Sequence, residues 1–196
     1  MANIITVARF PLLFLYLAIL YYGNQTLQFW NVPFILIIFN LDSLDGWVAR
    51  KRGETSLLGS VLDIATDRTL EYVLWVIYAH LGLIPVIVPI IVLIRGTMVD
   101  AVRSVGMQSG KSAFDQIRSP LNKFLVSSRF MRATYGVSKA AAAGFLTLAY
   151  AYHLSNGELF DITYAAGLVF TWFSVFLCLV RGIPVLIEGV KSLAKE

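Results

Sequence analysis

Six stretches of mostly apolar residues, at about 4–22, 30–50, 57–80, 84–106, 134–154 and 160–182, set the terms on which this chain can fold. A helix needs roughly 20 such residues to cross a bilayer, and each stretch is close to that length. In lipid, every backbone N–H and C=O must find its partner within the protein, so such a chain folds as helices. The expectation is an all-α, polytopic membrane protein with six transmembrane helices, forming one integral-membrane domain over residues 1–196. Composition agrees, with 58% hydrophobic residues, 14% charged and a mean hydropathy of +0.72, outside the range of ordinary soluble domains. The first stretch is long and lacks a small-residue cleavage pattern, so it reads as a first spanning helix rather than a leader. One cysteine, Cys178, excludes an intrachain disulfide framework.

The turns give the orientation. Those at 23–29, 81–83 and 155–159 contain no Lys or Arg. The alternate connections carry Lys51, Arg52, Lys111, Arg118, Lys123, Arg129 and Arg132, and the C-terminal tail adds Lys191 and Lys195. Basic residues collect on the cytoplasmic side of membrane proteins, which places both termini there. The one long polar connection, 107–133, has apolar residues at helical spacing in its second half (Leu121, Phe124, Leu125, Met131). It reads either as a solvated loop with a short helix or as an amphipathic helix lying on the leaflet.

Against this apolar background, residues 42–67 are anomalous. Asp45 follows Asp42 by three positions, and Asp67 follows Asp63 by four. On a helix each pair shares a face. The two segments are joined by a short linker, about 51–56, so they are expected to run antiparallel with their acidic faces at similar depth near the cytoplasmic surface. Ionisable residues within a span are costly and mark function. A structural alternative pairs Asp42 or Asp45 with Arg50 or Arg68. Four crowded carboxylates cannot all ionise without counter-charge, and a hard divalent cation supplies it. Gly46 and Gly59 leave room for a substrate to approach the helix backbone, or for a neighbouring helix to pack.

The run Asp42-x2-Asp45-Gly46-x2-Ala49-Arg50-x8-Gly59-x3-Asp63-x3-Asp67 resembles the signature of the CDP-alcohol phosphotransferase family, matching it at every fixed position. The resemblance implies a six-helix membrane enzyme that transfers a substituted phosphate from a CDP-linked donor to an alcohol and releases CMP. It further implies that Asp42, Asp45, Asp63 and Asp67 hold one or two Mg²⁺ or Mn²⁺ ions. Asp67 would be the general base. Asp42, Gly46, Ala49, Arg50 and Gly59 would receive the CDP moiety, and the enzyme would work as a homodimer.

The acceptor is expected to engage the second half of the chain. Arg95 lies within an apolar span and should face the bundle interior. Arg103, Lys139 and Arg181 fall on the same side, and together the four suit an anionic acceptor such as a polyol phosphate. The Arg95-to-Arg103 spacing and Gly136-Val-Ser-Lys139 resemble the phosphatidylglycerophosphate synthase branch. Ala140 stands where that branch has Thr, and Gly96 where it has an acid. Glu71 could support the acids or pair with Arg68, and His80 and His153 lie at the far helix ends.

The leading expectation is phosphatidyl transfer from CDP-diacylglycerol to a small polar alcohol, glycerol-3-phosphate foremost, in phospholipid synthesis. The same chemistry with inositol phosphate, serine or a soluble CDP-linked donor is the nearest alternative. A divalent-cation transporter is the alternative from another class. Membrane lipids are expected partners and nucleic acid is not. The compact length without targeting signals suggests a bacterial or archaeal cytoplasmic membrane, with the site facing the cytoplasm.

Overall fold

The structure, a computed structural model, describes residues 2–52, 57–108, 120–155 and 157–193. Side chains are described throughout these except at 2–5, 42–50, 52, 57–58, 60, 106–108, 120–121, 123 and 192–193. The described residues form seven helices and no strand: α1 (Ala2–Tyr22), α2 (Gln25–Arg52), α3 (Leu57–His80), α4 (Ile87–Gln108), α5 (Pro120–Ser127), α6 (Arg129–Ser155) and α7 (Phe160–Leu193). The six long helices overlie the six apolar stretches, and the short α5 falls in the second half of the 107–133 connection. By length and apolar content one described helix passes as a span, Phe160–Lys191 within α7, while Thr6–Tyr22 is a shorter apolar run.

Helix ends are set by capping rather than by hydropathy, so several boundaries differ from the apolar stretches. Asn24 Oδ1 accepts the Leu27 N–H at 3.0 Å, which starts α2 at Gln25 and reduces the first turn to Gly23 and Asn24. Gln28 turns its amide back to donate to the Ile19 and Leu20 carbonyls at 2.7 and 3.0 Å. The Leu20 carbonyl lies in the last turn of α1, where intrahelical donors run out, while the Ile19 carbonyl also accepts the Gly23 N–H at 2.8 Å. Ser128 Oγ accepts the Met131 N–H at 3.1 Å and starts α6 at Arg129 rather than 134. After α3, Gly82 takes φ 72° while its N–H donates to Ala79 O and the Leu83 N–H donates to Tyr78 O. This is a left-handed helix stop that favours glycine. Pro85 then keeps Ile84 out of helical conformation, so α4 begins at Ile87 and not at 84.

The chain divides into two compact units, Met1–Pro85 with Ala140–Val169, and Val86–Lys139 with Phe170–Glu196. In the first unit, α1 packs on α2 and α3. Buried positions recur at three- and four-residue intervals: Arg9, Leu13, Tyr16 and Leu20 on α1, and Gln28, Asn31, Ile35 and Ile38 on α2. On α3 they are Thr66, Leu70, Leu74 and Tyr78. Three hydroxyls bind α1, α3 and α6 together. Tyr16 Oη lies 2.7 Å from Thr147 Oγ1 and 3.0 Å from Tyr78 Oη. Thr147 donates onward to Ala143 O at 2.7 Å, and Tyr78 reaches the same carbonyl at 3.2 Å. The outward positions are apolar instead, among them Phe14, Trp30, Ile37, Val61 and Ile64.

In the second unit, Val99 of α4, Val126 of α5 and Val185 of α7 form a buried cluster with Leu186 against it. Ser174 donates to Ser138 at 2.9 Å and ties α7 to α6. The Asn122 amide donates to the Glu188 carboxylate and ties α5 to the end of α7.

Candidate active site

Helical periodicity places Asp63 and Asp67 one turn apart on α3, with Gly59 one turn before them. Both side chains are about half exposed, at 47% and 45%. The same row continues to Glu71, which is buried and meets Arg68 at 3.4 Å, the pairing expected from its spacing. A residue from outside the acidic motif completes the face. Arg9 of α1, only 2% exposed, donates from Nη2 to Asp67 Oδ1 at 2.7 Å. Its Nη1 stands 3.9 Å from Asp63 Oδ1.

Asp42, Asp45, Gly46, Ala49 and Arg50 lie on the last turns of α2, and their side chains are outside the described residues. The structure therefore presents one half of the expected four-carboxylate set. Among the described residues no group of three or more His, Cys, Asp or Glu converges. The half that is described suits a hard cation: two carboxylates at one-turn spacing, accessible, with a positive group already held against them. The guanidinium acts as a stand-in cation on this face.

Arg9 was legible in principle. It is an arginine inside an apolar stretch, the same signal that singled out Arg95. Its partners lie 58 and 54 positions away, since 67 − 9 = 58 and 63 − 9 = 54, so spacing did not point to them.

The four basic residues expected to receive an acceptor all fall in the second unit. Arg95 is buried at 8% exposure, as its depth in an apolar span requires, and donates from Nε to Cys178 O at 3.0 Å. Its aliphatic stem crosses α7 at Gly182, where a Cβ would stand 2.7 Å from Arg95 Cγ. Lys139 Nζ and the Arg181 guanidinium both lie over the Tyr135 ring, at 4.6 and 5.3 Å from its centroid. Arg181 also donates to Val126 O at 3.5 Å. Arg95, Arg103 and Arg132 are within electrostatic reach of Arg181. The structure thus gathers Arg95, Arg103 and Arg181 in one neighbourhood, sets Lys139 against the same Tyr135 ring as Arg181, and adds Arg132 and Gly182. Such a group of cations, in part withdrawn from water, suits an anion.

A family model for CDP-alcohol phosphatidyltransferases matches residues 1–180, a range that includes the acidic motif, both described carboxylates, Arg9 and three of the four acceptor-side candidates. The chain belongs to the CDP-alcohol phosphatidyltransferase family. The class of reaction follows: transfer of a substituted phosphate group from a CDP-alcohol donor, by a family that is membrane-integral. Among curated proteins, none matches the chain.

Proposed function

We propose that the protein transfers the phosphatidyl group of CDP-diacylglycerol to the hydroxyl of a small phosphorylated alcohol, glycerol-3-phosphate foremost, and releases CMP. The acceptor oxygen bonds to the phosphatidyl phosphorus, the bond from that phosphorus to the CMP oxygen breaks, and the hydroxyl proton passes to Asp67. The observation that carries this reading is the Asp63–Asp67 pair, one turn apart and half exposed, in a chain of this family.

Asp42, Asp45, Asp63 and Asp67 would together hold one or two Mg²⁺ or Mn²⁺ ions. The metal, when bound, neutralises the donor diphosphate and the charge that develops on the CMP leaving group. The residues of the chain do the rest. Gly46, Ala49 and Gly59 leave space for the nucleotide, Arg50 holds its phosphates, and Asp67 accepts the proton within hydrogen-bond reach. Phosphoryl-type transfer is dominated by positioning and electrostatics, which these groups supply. Arg95, Arg103, Lys139 and Arg181 hold the acceptor phosphate. That assignment favours a phosphorylated acceptor over serine, which has no phosphate to offer.

We propose the six long helices as six crossings, with both termini and the acidic face on the cytoplasmic side of a bacterial or archaeal membrane. The distribution of polar groups supports this. Arg9, Gln28, Asn31 and the Tyr16–Tyr78–Thr147 hydroxyls are inside, whereas exposed positions are rich in Phe, Trp, Ile and Val. A homodimer completes the proposal.

The test is CMP release from CDP-diacylglycerol by the detergent-purified protein with Mg²⁺, against glycerol-3-phosphate, inositol-1-phosphate, serine and no acceptor. Release with a phosphorylated acceptor and its loss in Asp67→Asn are expected. Full turnover by Asp67→Asn would remove that residue as the base, and release with serine alone would remove the phosphate role of the basic cluster.

A further inference from the structure

Arg9 has no place in the mechanism above, yet it is the side chain most intimately engaged with the described carboxylates. It sits on the buried stripe of α1 with Leu13, Tyr16 and Leu20. A guanidinium taken this far out of water is costly, and opposite charge offsets that cost. That charge comes from a different helix, through Oδ1 of Asp67 at 2.7 Å and Oδ1 of Asp63 at 3.9 Å. The exposures are asymmetric: the arginine is 2% exposed and its carboxylates 45–47%. The acids therefore open toward solvent or substrate while Arg9 approaches them from the protein side.

We infer that Arg9 is the resident counter-cation of the acidic face: it holds Asp67 and Asp63 when no metal is bound, and competes with the divalent ion for Asp67. The inference rests on the reading of Asp63 and Asp67 as metal ligands. Two opposed effects decide its sign. Arg9 orders the carboxylates, which favours metal binding. It also places a like charge beside the ion and occupies an oxygen the ion needs, which opposes binding. The second effect wins, because an arriving dication itself supplies the ordering charge, so nothing is gained by keeping the guanidinium there. The firm contact to Asp67 and the looser one to Asp63 make Asp67 the oxygen under competition.

Removing the charge then tightens metal binding and weakens the metal-free protein. The experiment is Mn²⁺ binding to the full-length protein in detergent, read from the electron paramagnetic resonance signal of free Mn²⁺, together with thermal unfolding with and without Mn²⁺. Variants are Arg9→Met, Arg9→Gln, Arg9→Lys and Asp67→Asn. Arg9→Gln keeps the bulk and a neutral donor should Arg9→Met fail to fold. Both neutral variants are expected to bind Mn²⁺ about tenfold more tightly, within the range of couplings between two ligands of one protein. Arg9→Lys should stay near wild type. The neutral variants should unfold at lower temperature without metal and recover with saturating Mn²⁺. A purely structural arginine would lower the unfolding temperature equally in both conditions.

Unchanged or weaker Mn²⁺ binding in Arg9→Gln, while Asp67→Asn loses it, overturns the role of Arg9 and leaves the metal site standing. Mn²⁺ binding that is absent from the wild type, or untouched by Asp67→Asn, overturns both.

Discussion

Replacing Gly182 with alanine asks whether the fold builds a place for Arg95. The new Cβ would stand 2.5 Å from Arg95 Nε, 2.7 Å from Cγ and 3.1 Å from Cδ. Carbon atoms do not approach so closely, and a shift of the tip alone cannot relieve it, because Cγ lies near the root of the side chain. Arg95 must change rotamer and give up the Cys178 carbonyl, which its Nε–H now meets at 3.0 Å. A hydrogen bond from a charged donor is worth about 1.5–3 kcal/mol. Alanine recovers about 1 kcal/mol of helix propensity relative to glycine. The difference predicts a net destabilisation of about 0.5–2 kcal/mol. The functional effect should be larger and selective. A guanidinium moved off an anion forfeits a charge-assisted contact, so the KM for the phosphorylated acceptor should rise about tenfold, or about 1.4 kcal/mol, with the KM for the CDP donor unchanged. Thermal unfolding in micelles and CMP release against acceptor concentration read the two effects. Wild-type stability together with a wild-type acceptor KM would refute the reasoning, since Arg95 would then have to fit over an alanine.

The other packing and hydrogen-bond predictions concern stability in micelles. Thr147→Val removes the hub between Tyr16 and Ala143 O and should cost about 1–2 kcal/mol. Tyr16→Phe should cost about 0.5–1.5 kcal/mol, and the double variant less than the sum because the two share a bond. Strict additivity would mean that the 2.7 Å contact carries no energy. At Gly167 a Cβ would stand 2.8 Å from Leu146 Cδ2 and 3.3 Å from its backbone N, so Gly167→Val should cost about 1–3 kcal/mol. Gly136→Ala, where a Cβ meets nothing within 4 Å, is the control and should be neutral or slightly stabilising.

What the sequence disclosed was what periodicity and burial cost govern. The one-turn spacing of Asp63 and Asp67 needed only a helix, and the inward direction of Arg95 needed only an apolar span around it. Glu71 found Arg68 because the two are three residues apart. Contacts that depend on tertiary register were not disclosed. Nothing local to α1 says that Arg9 will meet Asp67 rather than another acid. Gly182 reads as an ordinary packing glycine until the rotamer of Arg95 is known. Helix limits fell between these cases. Hydropathy marks the apolar middle of a helix, whereas Asn24 and Ser128 fix where α2 and α6 begin. Those caps are visible in a sequence, but an apolar window passes over them.

The two buried arginines show why a metal-handling role alone accounts for too little of this chain. The fold answers Arg9 with carboxylates, which accept a hydrogen bond from its Nη2 and offset its charge. It answers Arg95 with the carbonyl of Cys178, and among the described residues Arg95 makes no ion pair. A carbonyl satisfies one N–H but leaves the charge in place. That charge lies within electrostatic reach of the half-buried Arg181, and like charges partly withdrawn from water oppose one another unless an anion offsets them. A cation transporter would use the acidic face and gain nothing from this second feature. The proposed transfer of a phosphatidyl group onto a phosphorylated alcohol would use both, the acids for the metal and diphosphate, the arginines for the acceptor. Phosphate or glycerol-3-phosphate should therefore raise the unfolding temperature of the wild type without added metal, and the increase should shrink in Arg95→Gln. A wild type indifferent to both anions would remove the second feature from the argument and leave the acceptor to be sought elsewhere.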